Sequence, residues 1–156
     1  MKRLFSMFVV FGMVLAAGSL AWAQSSPFVG TWKLNVAASK FEPGPPPQNQ
    51  SRTWDASGAV SITGVNAAGK TVAYSYPIKG DGKDYPTGGA IPNGADTIST
   101  KQVDANNVTA IFTKAGKQVE STTFAVSKDG KVLTITAKGV LPDGRNLNNE
   151  THWDKQ

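Results

Sequence analysis

The single histidine, His152, lies in the closing run ETHWDKQ, two residues from Glu150 on one side and from Asp154 on the other. An imidazole flanked by carboxylates can be oriented as a general base, so any catalysis here would rest on His152 with Asp154 or Glu150. Strand alternation puts these three on one face and Thr151 and Trp153 on the other, so His152 faces solvent wherever Trp153 faces a core. The sequence has no Gly-x-Ser-x-Gly turn to supply a nucleophile. It has no cysteine, which excludes thiol catalysis and thiolate metal sites, and one histidine falls short of the ligands a zinc site takes. Asp81 and Asp84 in KGDGKDYP lack the alternating oxygen ligands and closing glutamate of a calcium loop, and read as a turn before a short strand. GGAIPNG opens no helix, so it does not read as a phosphate cradle. The expectation is a non-catalytic protein with no cofactor and no metal.

What remains is a set of aromatic residues able to converge: Trp32, Trp54, Tyr74, Tyr76, Phe112, Phe124 and Trp153. Arg52 shares parity with Trp54, so it points inward if Trp54 does, and would then suit an anionic or polar head group. A cavity of aromatics with a few polar groups is what small-molecule sites look like. The same residues also fit an ordinary packed core, with Arg52 at the open end of its strand, and inward polar positions read at Thr123 and Thr134 suit both. The candidate cavity set is Arg52, Trp54, Tyr74, Tyr76, Phe112, Phe124 and Trp153.

These side chains need strands to hold them. Period-two alternation and turn signals predict ten, over 28–35, 50–55, 59–65, 70–79, 83–86, 97–103, 107–114, 117–127, 131–138 and 146–154. Trp32, Leu34 and Val36 share one face, as do Val72, Tyr74, Tyr76 and Ile78, and Val108, Ala110 and Phe112. Asp81-Gly82, Asp129-Gly130 and Asp143-Gly144 tolerate the positive φ of tight hairpin turns. Short strands in a meander predict an all-β, antiparallel up-and-down barrel, because closure removes the exposed edges; a two-sheet β-sandwich is the alternative. FEPGPPPQNQ (41–50) reads as a stiff extended connection and TGGAIPNGA (87–95) as a loop, either of them able to form a cavity rim.

Residues 1–23 stand apart: a basic start at Lys2 and Arg3, an apolar stretch from Leu4 to Ala17, and a small-x-small end at Ala21-Trp22-Ala23. This is the pattern of a secretory signal peptide cut between Ala23 and Gln24, leaving one domain over 24–156 in the periplasm or outside the cell. Without cysteine the chain cannot be a lipoprotein. Two of its 16 basic residues leave with the leader, so 14 face 11 acids and the mature chain carries +3. That charge is spread without a basic block, which argues against nucleic acid and against a charged membrane surface.

SPFVGTWKLN near the mature N-terminus resembles the Gly-x-Trp opening of the calycin superfamily, the lipocalins and fatty-acid-binding proteins. The resemblance makes Gly30 and Trp32 the barrel-closing motif, and the ending ETHWDKQ is similar to the last strand of a fatty-acid-binding protein. In that family an arginine and a tyrosine of the last strand clamp a carboxylate; the matching positions here are Thr151 and Trp153, so the family's clamp is missing. The family's helix-turn-helix lid is replaced by the proline-rich connection. GTWKLN, SKFEPGPPP, DGKDYP and the closing NN…DKQ also resemble a group of small exported bacterial proteins of unknown function, which brings no activity with it. The reading is an exported, lipocalin-like protein that binds a small apolar or amphipathic molecule without catalysis. The alternative is an envelope interaction module that presents its proline-rich rim to a protein partner and takes no small ligand.

Overall fold

A computed structural model describes residues 26–156. The leader and its cleavage site lie outside the described residues. Among those described, all regular structure is β: β1 (Gly30–Lys40), β2 (Asn49–Trp54), β3 (Ala59–Val65), β4 (Thr71–Pro77), β5 (Asp81–Pro86), β6 (Gly88–Gly89), β7 (Thr97–Asp104), β8 (Asn107–Lys114), β9 (Lys117–Val126), β10 (Val132–Val140) and β11 (Asn146–Lys155). One antiparallel sheet runs β5-β7-β8-β9-β10-β11-β1-β2-β3-β4-β6.

The two ends of that order are consecutive in the chain. The run 81–89 pairs with β7 through β5 and, after Thr87 alone, turns back onto β4 through Gly88 and Gly89. The sheet therefore curls into a nearly closed barrel, as expected, and a single short run spans its seam. The β6 strand is the one element not foreseen: two residues without side chains carry no alternation to read. Gly89 has to be glycine, since its φ is +75° and a Cβ there would stand 2.6 Å from the Ala73 carbonyl oxygen.

Alternation then sorts the side chains. Val60 and Ile62, Val108, Ala110 and Phe112, Phe124 and Val126, Leu133 and Ile135 are all buried in one core. On β9 the inward set is Thr122, Phe124 and Val126, which corrects the reading of Thr123: it is exposed. Thr134 is likewise on the outer face, with its hydroxyl 3.3 Å from His152 Nδ1. The first strand runs beyond its expected end at 35, to Lys40, past an irregularity in its pairing with β11.

One end of the barrel is plugged. Trp32 is fully buried, its indole Nε1 donates to the Phe28 carbonyl at 2.8 Å, and the Phe28 and Trp54 rings lie 4.6 Å apart. Phe124 meets Trp54 edge-on at 5.7 Å from the barrel side. Gly30, at φ +138°, leaves room for the Lys155 side chain, which would otherwise meet a Cβ at 2.9 Å. Lys155 Nζ in turn sits 4.9 Å from the Trp32 ring centroid and donates to the Pro27 carbonyl at 3.2 Å. Gly30 and Trp32 thus stand against Lys155 and Phe28 at this end of the barrel.

Candidate functional site

Beyond the plug, the interior opens into a cavity of about 500 Å³. Its wall includes Arg52, Tyr74, Tyr76, Phe112, Phe124 and Trp153, so six of the seven candidate residues are brought together. Trp54 is not on that wall; it belongs to the plug. It shares a face with Arg52 but lies two residues further along β2, roughly 6–7 Å down the strand.

Arg52 is placed by β2, opposite Trp32 of β1 and Ile62 of β3, with only 5 % of its surface exposed. Its guanidinium stacks among aromatic faces, 4.7 Å from the Trp153 centroid, 5.8 Å from Tyr76 and 5.9 Å from Phe124. Nη1 donates to the Tyr76 hydroxyl, whereas the buried Nε has no partner. Among the described residues no carboxylate lies within ion-pair distance of it. Burial raises the pKa of both Tyr74 and Tyr76 above the ordinary phenol value, so both hydroxyls stay protonated. A buried cation among π faces thus keeps one donor free for a further acceptor.

The last-strand positions that the resemblance matched to a carboxylate clamp are occupied by a self-contained pair. Trp153 Nε1 donates to Thr151 Oγ1 at 2.9 Å, and the Thr151 hydroxyl reaches the Ile135 carbonyl at 3.4 Å. The buried cation of this cavity comes instead from β2.

Two further residues belong to the wall and were not singled out from sequence. Glu120 of β9 faces the cavity, where Oε1 accepts from the Thr122 hydroxyl at 2.5 Å and Oε2 from Asn93 Nδ2 at 2.7 Å. Burial raises its pKa above the usual carboxylate value, against the opposing pull of those two bonds and of the Arg52 charge. Asn93 sits in the connection between β6 and β7, and its Oδ1 accepts from the Ala95 amide at 2.9 Å. Ile91 and Asn93 are both buried, so that this loop dips into the barrel. Parity counted back from Phe124 reaches Thr122 and then Glu120; Asn93 had no such signal.

The backbone makes room for Glu120. Phe112 pairs with Glu120 but Thr113 with Gln118, which leaves Val119 as an extra residue bulged from β9. On the other side Glu120 is opposite Gly139 of β10, where a Cβ would stand 2.1 Å from the Val119 carbonyl oxygen.

The rim contains Phe41, Pro43, Pro45 and Pro47 from the proline-rich connection, together with Leu141 and Arg145 from the β10–β11 hairpin. The connection is tied at both ends. The Asn148 amide donates to the Glu42 carbonyl at 2.7 Å and the Glu42 amide to Asn149 Oδ1 at 2.8 Å, while the Gln48 amide donates to the Val65 carbonyl at 2.9 Å. Both segments expected at a rim, 41–50 and 87–95, contribute to this cavity.

His152 lies on the outer face. Its Nε2 is 3.3 Å from Glu150 Oε1, and Asp154 instead accepts from Asn35 Nδ2 at 3.0 Å. None of His152, Glu150 and Thr134 lines the interior cavity.

No protein-family model matches the chain, and no curated protein matches it. Among solved structures it is similar to zebrafish ileal bile acid-binding protein complexed with cholic acid, at 14 % identity and a TM-score of 0.50, over 84 % of this chain and 100 % of that one. It is also similar to As-p18, an extracellular fatty acid binding protein, at 12 % identity and a TM-score of 0.47, over 84 % of this chain and 97 % of that one. At such identities the likeness is one of fold: the chain shares the antiparallel barrel of the zebrafish protein.

Proposed function

We propose that this protein is an exported, non-catalytic carrier of a small amphipathic molecule, held inside the barrel with its polar end at Arg52. The observation that carries the proposal is the buried guanidinium with an orphaned Nε and, among the described residues, no acid within ion-pair distance, in a cavity of about 500 Å³. That volume falls in the ~300–1,000 Å³ range of small-molecule sites. The apolar walls suit a hydrocarbon or ring body, and the proline-rich connection at the rim stands where a lid would act. The zebrafish neighbour, which shares the fold, is complexed with cholic acid, which fits this reading. The leader at 1–23 supports export to the periplasm or beyond, in keeping with the resemblance to small exported bacterial proteins.

Native mass spectrometry of the mature protein recovered from its own cell envelope tests the proposal. A defined extra mass that disappears on denaturation is the expected result and would supply the ligand's formula. A bare chain would overturn occupancy as its resting state. Exposed Pro45 and Pro46 favour the second reading, a rim that docks a protein partner, which a bare chain would bring forward.

A further inference from the structure

Besides Arg52 and, at the rim, Arg145, the lining of the cavity includes one acid, Glu120. Arg52 and Glu120 line one space, yet they form no ion pair with each other. Arg52 Nη1 bonds Tyr76, the Tyr76 ring meets Phe112 edge-on at 5.3 Å, and Phe112 stands opposite Glu120 in the β8–β9 ladder. Both side chains thus line one cavity and are linked through Tyr76 and Phe112. The hydrogen-bond donors to Glu120, Thr122 and Asn93, are both neutral, and each carboxylate oxygen keeps acceptor capacity. The other titratable side chains bearing on it are the hydroxyls of Tyr74 and Tyr76 on β4. Arg145 at the rim is held by Asp143 at 2.8 Å.

Charge balance then discriminates among ligands. A simple anion seated on Arg52 leaves the Glu120 charge uncompensated in the same desolvated space, and a simple cation on Glu120 leaves Arg52 so. A head group carrying both signs satisfies both. We infer that the cavity selects amphiphiles with a zwitterionic head group, the acid placed on Arg52 and a neighbouring ammonium on Glu120. This inference rests on the carrier reading and names the class of its ligand.

Isothermal titration of the mature protein at neutral pH with four amphiphiles of one chain length tests it: dodecanoic acid, 2-aminododecanoic acid, dodecylamine and 1-dodecanol. The amino acid is expected to bind about tenfold tighter than the plain acid, the size of one charge-assisted hydrogen bond. Glu120→Gln should bring the two acids to within about twofold of each other. Dodecanoic acid binding as tightly as the amino acid, or a preference that survives in a folded Glu120→Gln variant, would overturn the inference while leaving the carrier reading intact. Failure of all four to bind would remove the carrier reading and the inference together. The wild-type ranking needs no variant, so the test does not depend on Glu120→Gln folding.

Discussion

The Arg52 guanidinium lies 4.7 Å from the centroid of the Trp153 ring, and that π face takes the place of an anionic partner. A buried charge without a counterion is a poor stabiliser, because what it gains from aromatic faces and one hydrogen bond must offset its desolvation. Arg52→Met keeps the length and apolar contacts of the side chain and removes the charge. It should leave stability unchanged or raise it by about 1–2 kcal/mol in urea unfolding, while binding of any acidic amphiphile is lost. A stability loss above about 2 kcal/mol would mean that the guanidinium serves the fold rather than a ligand.

Glu120 gives the fold a pH dependence of the opposite sign to that of its surface aspartates. Its native pKa is raised above the ordinary 4.5, so between that value and its native pKa the folded state holds the proton more tightly than the unfolded chain. Stability from this group is present at low pH and is lost as pH rises through that window. Asp55, Asp81, Asp104, Asp129 and Asp143 accept hydrogen bonds from neighbouring residues that lower their pKa below 3.8, and their contribution is lost as pH falls below that value. Glu120→Gln should therefore gain on wild type as pH is raised above 4.5, with the acid limb unaltered. Urea midpoints measured for both proteins across pH would show this, and a difference independent of pH would refute it.

Gly139 is the permissive contact behind Glu120. A methyl at this position would stand 2.1 Å from the Val119 carbonyl oxygen and 2.8 Å from the Glu120 Cα, both backbone atoms that cannot swing aside. Gly139→Ala should cost about 2–3 kcal/mol in unfolding experiments, whereas Thr123→Ala on the exposed face of the same ladder should stay within about 0.5 kcal/mol. Equal effects at the two positions would mean that β9 can flatten its bulge.

Alternation carried most of this site into view, because period two fixes which face a residue occupies. It says nothing of height along the strand, so parity groups Trp54 with Arg52 although one meets the plug and the other the cavity. An inward Thr123 turns Glu120 outward; the parity of Phe124 points the other way, and the structure follows Phe124. Asn93 and the Gly88–Gly89 strand lie where no periodicity exists, and their positions depend on the seam that closes only when β4 and β7 come together. The clamp expected from the family resemblance was absent at Thr151 and Trp153 in sequence, and the structure shows what took its place.

The proline-rich connection is fastened to β11 through Glu42, and this fastening should govern ligand exchange. Its Pro43, Pro45 and Pro47 lie on the rim, so a ligand passing this side of the mouth displaces the segment. Asn149→Ala deletes the acceptor of the Glu42 amide bond at 2.8 Å but leaves the Asn148-to-Glu42 backbone bond at 2.7 Å. One exposed hydrogen bond is worth about 1 kcal/mol, so association and dissociation should both quicken about fivefold. The equilibrium affinity would stay nearly constant, because a looser gate lowers the barrier in both directions. Stopped-flow binding of a fluorescent amphiphile resolves the two rates. A change in dissociation alone would mean that Asn149, itself on the cavity wall, touches the ligand directly.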